Sequence, residues 1–122
     1  MRALIVDDSK FMRVLLRGML EPRGIACEEA ADGQAGMDLL RGASRFDLVF
    51  VDWNMPVMNG LEMLERLRAE NFGDVKVMMV TTEAENEFIV RALGAGADEY
   101  LMKPFDEEAL SEKLAMLGVE EA

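Results

Sequence analysis

Residues 49–60 read VFVDWNMPVMNG. An apolar run from Val49 to Val51 stops abruptly on a carboxylate, Asp52, and then Trp53, Asn54 and a turn containing Pro56 follow. A strand that is apolar at successive positions, rather than at alternate ones, is buried on both faces. Such strands belong to parallel sheets covered by helices on either side. In these sheets ligands gather beyond the carboxyl ends of the strands. Leu48–Val51 therefore reads as a central strand, and Asp52 as a group held at its functional end.

The same pattern recurs outward from this segment. Ala3–Val6 is an apolar run closed by Asp7 and Asp8, and Val75–Val80 is followed by Thr81 and Thr82. A short run, Asp98–Met102, leads into Lys103-Pro104, and Ala26–Glu29 is a weaker strand. Amphipathic stretches fill the intervals. Ser9 caps a helix from Lys10 to about Leu20, with Phe11, Val14, Leu15 and Met19 as its apolar face, and Glu21-Pro22-Arg23-Gly24 breaks it. Asp32-Gly33 opens a helix ending near Arg41. Further helices run from Leu61 to about Ala69 and from Asn86 to about Ala95. Asp106 caps the last, which carries Leu110, Leu114 and Leu117 on one stripe and Glu107 and Glu108 in its first turn, where the helix dipole favours negative charge. Right-handed crossovers between five such units give a doubly wound α/β sheet.

The chain has 122 residues, the size of one domain, so residues 1–122 are read as a single unit. Its 51% hydrophobic content is ample for one core. A net charge of −11 argues against direct nucleic-acid binding, which needs Lys and Arg. A single cysteine, Cys27, rules out an internal disulfide and fits a reducing, cytoplasmic setting. No apolar stretch approaches the ~20 residues that span a bilayer, and Met1–Val6 turns acidic at once, unlike a signal peptide. The ends of the sequence lie close to the first strand and the last helix, which fits a free-standing domain and a piece of a larger regulator equally. There is no histidine, which removes His metal ligands, His bases and any phosphohistidine on this chain.

If the strands ending on Asp7-Asp8, Asp52, Thr81 and Lys103 are neighbours, these groups share one pocket. Three adjacent carboxylates repel one another unless a cation lies among them. Oxygen-only ligands favour a hard ion such as Mg²⁺. A lysine and a threonine hydroxyl beside it suit phosphate oxygens, and an aspartate can itself take a phosphoryl group as an acyl phosphate.

Five segments, LIVDDS, VDWNMPVMNGLEML, VMMVTTEAE, GAGADEYLMKPF and the final helix, occur in order at the predicted strand ends. Together they resemble the receiver domains of response regulators over essentially the whole chain, and within them the CheY-like type used in chemotaxis. The resemblance implies a flavodoxin-like fold, a five-stranded parallel sheet in the order 2-1-3-4-5 with five helices. It implies that Asp52 is phosphorylated and that Lys103 and Thr81 act with it. Asp7 and Asp8 match the acidic metal-binding pair, with Asp8 the direct ligand and Asp7 acting largely through water, and Asn54 lends a backbone carbonyl. The cofactor implied is Mg²⁺, with Mn²⁺ as a substitute. Thr81 and Tyr100 match the switch pair, and Asn54 and Glu83 the positions that tune phosphate lifetime. Gly60 fits the turn opening the third helix, and the Lys103-Pro104 bond is implied to be cis.

Partners implied are a histidine kinase or histidine phosphotransfer protein, and an output protein at helix 4, strand 5 and helix 5. The domain is implied to be a monomer or a phosphorylation-dependent dimer, away from membranes and nucleic acid. It would be no enzyme beyond its own phosphoryl transfer and dephosphorylation. Ser9 and Thr82 are the modest departures, Thr82 standing where a smaller residue is frequent. Three other readings are open. One is the receiver piece of a larger, for example DNA-binding, regulator. An aspartate-nucleophile phosphatase of the haloacid-dehalogenase type would want a second Asp where Asn54 stands. A nucleotide-binding module would want glycines after the first strand, where VDDSK has none.

Other features have plainer readings. The 11 methionines are core filler, with Met55 and Met58 as candidates for an adaptable contact surface. Trp53 is a partly buried aromatic with no assigned chemistry. Glu120-Glu121 is a solvated tail.

Overall fold

The structure is a computed structural model, and it describes residues 1–42, 45–55, 57–82 and 86–119. The strands are β1 (Arg2–Val6), β2 (Ala26–Ala30), β3 (Leu48–Asp52), β4 (Lys76–Thr81) and β5 (Glu99–Met102). The helices are α1 (Lys10–Leu20), α2 (Gly33–Leu40), α3 (Gly60–Ala69), α4 (Asn86–Gly94) and α5 (Glu107–Met116). All strand pairs are parallel, in the order β2-β1-β3-β4-β5, which is the flavodoxin-like order implied by the resemblance.

Alternate strand residues face opposite cores. Leu4, Val6, Val49, Val51, Val77 and Met79 join Met37, Leu40, Met63, Leu64, Leu67 and Ala92 beneath α2, α3 and α4. Ala3, Ile5, Leu48, Phe50, Met78 and Val80 join Leu16, Leu20, Leu110 and Leu114 beneath α1 and α5. All five β3 residues are buried, as expected for a strand covered on both faces.

Helix starts follow the predicted caps. The side chains of Ser9, Asp32 and Asp106 accept from the amides of Met12, Ala35 and Ala109. Asn59 and Glu62 form a reciprocal capping box at α3. The helix α1 ends at Leu20 and passes through a 3₁₀ turn, Glu21–Arg23, to Gly24 at φ 80°, so the predicted break is real.

Two readings of the sequence need correction. The core face of α1 is Leu16 and Leu20, whereas Phe11 and Val14 are 73% and 54% exposed. Arg13 and Arg17 on α1 both pair with Glu29 of β2. Met55 and Met58 are buried, so they are not a surface for contacts. They pack into the core beneath α2 and α3. Glu83 and the Glu120-Glu121 tail lie outside the described residues.

Candidate functional site

The strand register levels the functional ends of the sheet. Val6 pairs with Val51, Asp52 with Val80, and Thr81 with Met102. Asp7, Asp52, Thr81 and Lys103 therefore emerge on one rim, at the point between β1 and β3 where the strand order reverses. One carboxylate oxygen from each of Asp7, Asp8 and Asp52 lies within 4.8 Å of the others. Lys103 stands between two of them, its Nζ 3.2 Å from both Asp7 Oδ2 and Asp52 Oδ1. Its approach is set at the main chain, where Lys103 N–H donates to the Thr81 carbonyl at 2.8 Å. The Lys103–Pro104 peptide is cis, as the resemblance implies.

Asp7 is buried and held on every side. Its Oδ1 accepts from Ser9 N–H at 2.8 Å and its Oδ2 from Lys103. Its amide donates to the Ala30 carbonyl, and its own carbonyl accepts from Arg13 Nη1 at 2.6 Å. Asp8, by contrast, is exposed and offers its carboxylate to solvent.

Asp52 is buried. Burial pushes its carboxyl pKa up, Asp7 adds to the rise, and Lys103 only partly opposes it. Burial alone would lower the Lys103 pKa, yet Asp52 and Asp7 together hold it above the ordinary value. Three carboxylates against one ammonium leave this set of four with an excess of negative charge. An all-oxygen site of that charge fits a hard divalent cation.

Thr81 is buried at the end of β4, and Thr82 is exposed. Asn54 lies exposed two residues past Asp52. Trp53 turns inward and meets Phe88 of α4 edge to face, with ring centroids 5.6 Å apart. Gly60 is packed against the end of β3: a Cβ there would collide with the Asp52 carbonyl oxygen and lie 2.9 Å from Trp53 Cα. Tyr100 is half-buried on β5, beneath Lys113 of α5.

The sequence reading therefore collects Asp7, Asp8, Asp52 and Lys103 correctly at one place. It misses Arg13, which grips the Asp7 main chain, and Phe88, which backs Trp53. Arg13 has a visible signal: with Arg17 it makes an i, i+4 basic pair on a helix beside an acidic strand.

Comparison with known proteins gives a consistent picture. Residues 3–115 match the family model of the response regulator receiver domain. The chain is similar to a chemotaxis protein CheY homolog of Campylobacter jejuni, 40% identical over 93% of this chain and 89% of the relative. It is 36% identical to chemotaxis protein CheY1 of Helicobacter pylori over 96% of each chain. Among solved structures, Vibrio cholerae CheY4 superposes with a TM-score of 0.85 at 34% identity, covering 91% of this chain and 92% of that one. A Francisella response regulator receiver domain superposes with a TM-score of 0.84 at 28% identity, covering 95% and 94%.

Proposed function

Because this chain belongs to the response regulator receiver family, we propose that it is a phosphorylation-controlled switch of a two-component system. In this reading Asp52 accepts a phosphoryl group, and the surface of α4, β5 and α5 changes to control an output protein. The observation that carries the reading is Lys103, 3.2 Å from both Asp7 and Asp52 in a rim of three carboxylates.

The oxygen donors fit Mg²⁺, or Mn²⁺ in its place, with Asp8, Asp52 and the Asn54 carbonyl as ligands. The two Asp7 oxygens are already engaged by Ser9 N–H and Lys103, which leaves Asp7 to act through water. When bound, the ion supplies charge neutralisation for an incoming phosphate.

The chain's own groups do the rest. Burial and Asp7 make the Asp52 carboxylate more basic, hence a better nucleophile. Its oxygen attacks phosphorus in line. The phosphorus–nitrogen bond of the donor phosphohistidine breaks, and the imidazole keeps the electron pair. The donor is a histidine kinase or a histidine phosphotransfer protein, since this chain has no histidine. A small acyl phosphate can replace it. Lys103 and the Thr81 hydroxyl hold oxygens of the product. Water later attacks phosphorus and restores Asp52, at a rate set by Asn54 and Glu83. The chain turns over only its own acyl phosphate and is not an enzyme acting on a separate substrate.

Thr81 moves toward the phosphoryl group and frees space for the Tyr100 ring, which biases α4, β5 and α5 between two arrangements. The named relatives are chemotaxis proteins, which supports an output in motility. No helix among the described residues is long and apolar enough to cross a membrane. The reading places the domain in the cytoplasm, as a monomer or a phosphorylation-dependent dimer.

Trp53 fluorescence tests this directly. Added Mg²⁺ should quench it, and acetyl phosphate should change it further. A protein that answers neither addition would overturn the reading.

A further inference from the structure

The ring of Tyr100 is held by two residues that take no part in phosphoryl transfer. Lys113 Nζ lies 3.9 Å over the ring centroid. The same Nζ donates to Glu99 Oε1 at 3.0 Å, and that oxygen also accepts from the Tyr100 N–H at 3.0 Å. One carboxylate oxygen thus ties the Tyr100 main chain to the cation on its side chain. The Glu99 and Lys113 side chains are only 17% and 20% exposed, so this is a partly desolvated pair and not a loose surface contact.

The path of Lys113 adds to its grip. Tyr100 packs against the core beneath α2, α3 and α4. Lys113 comes from α5, whose Leu110 and Leu114 fill the opposite core. The lysine therefore reaches round β5, which is an edge strand, to cover the ring from outside.

We propose that Glu99 and Lys113 are positioning residues that latch the Tyr100 ring in its resting place and hold down the population of the switched state. This rests on the reading that Tyr100 responds to Asp52. An ammonium over an aromatic face is attracted by the ring quadrupole. Any displacement of the ring abandons that contact and leaves Lys113 with Glu99 alone. When the competent state is only partly populated, apparent affinity for a ligand that selects it falls by that fraction. Releasing the latch should therefore tighten binding of a phosphoryl mimic at a site that neither residue touches.

The test uses beryllofluoride with Mg²⁺ as the mimic, titrated through Trp53 fluorescence in wild type, Lys113→Met and Glu99→Gln. Lys113 Nζ sits over the Tyr100 ring, so ring-current shifts on the Lys113 εCH₂ protons report the position of that ring. In wild type these protons should lie upfield at rest and return toward ordinary values on beryllofluoride. Lys113→Met should bind the mimic at least about 2- to 5-fold tighter, the size of the weakest cation–π contacts, since this pair is partly desolvated. Glu99→Gln should move in the same direction by less. If wild type responds but Lys113→Met binds equally or more weakly, or if the εCH₂ protons do not move, the latch is wrong while the switch stands. If wild type shows no Mg²⁺-dependent response at all, both fail.

Discussion

Gly60 is packed directly behind Asp52. A side chain at Gly60 would strike the Asp52 carbonyl oxygen and press on Trp53 Cα, and the Gly60 N–H donates to the Trp53 carbonyl at 2.9 Å. The first residue of α3 thus fixes the main chain that aims the nucleophile. Gly60→Ala should cost about 1–3 kcal/mol, as overpacking against backbone does. It should also blunt the Mg²⁺ response of Trp53. Urea unfolding, read for midpoint and slope, measures the first effect. An unchanged midpoint would mean that the strand end yields freely.

Asp52 bears on pH dependence. Its native pKa is raised, chiefly by burial and then by Asp7, so the native state binds a proton more tightly than the unfolded chain does. The stability this contributes is full below the ordinary carboxylate pKa and fades as pH rises through the native value. At neutral pH without divalent cation, the ionised group therefore opposes folding. Asp52→Asn should raise apo stability at pH 7 and flatten the stability profile between mildly acidic and neutral pH. Unfolding in EDTA across that range checks this. A less stable variant would refute the sign.

Metal should reverse that balance. An ion that binds only the native state adds about 2.7 kcal/mol at a hundred times its dissociation constant. Mg²⁺ should raise the melting temperature accordingly, and EDTA should remove the gain. Asp8→Asn should abolish most of the shift, because Asp8 is the exposed member of the trio and open to a ligand. An undiminished shift in Asp8→Asn would place the ion elsewhere.

Val57 carries a local conflict. It is β-branched, 81% exposed and held at φ 69°, a left-handed conformation that costs such a residue about 1–2 kcal/mol. Asn tolerates this conformation far better, so Val57→Asn should stabilise by about 1 kcal/mol. Equal stability of the two proteins, by urea midpoint, would argue that the loop relaxes.

These cases show what the sequence makes visible. Continuous apolar runs closed by acids announce β1 and β3, and with them the rim where Asp7, Asp8 and Asp52 meet. The core face of α1 is harder to read. Phe11 and Val14 look like core positions, yet Leu16 and Leu20, one turn apart, are the pair that is buried, while Arg13 and Arg17 meet Glu29. Met55 and Met58 sit in a loop segment, which suggests exposure. The close approach of α2 at Gly33, where a Cβ would lie 2.8 Å from the Met58 carbonyl oxygen, encloses them instead. The contact between Lys113 and Tyr100 joins residues 13 positions apart across the sheet edge, and no local pattern marks it.

The central claim is that Asp52 is the residue that takes up phosphorus. Incubation with ³²P-labelled acetyl phosphate and Mg²⁺ should give one label per chain, stable to mild acid for minutes and released by hydroxylamine, as an acyl phosphate requires. The label should fail to form when EDTA removes the Mg²⁺, and it should be absent from Asp52→Asn. A hydroxylamine-resistant label retained by Asp52→Asn would contradict the account.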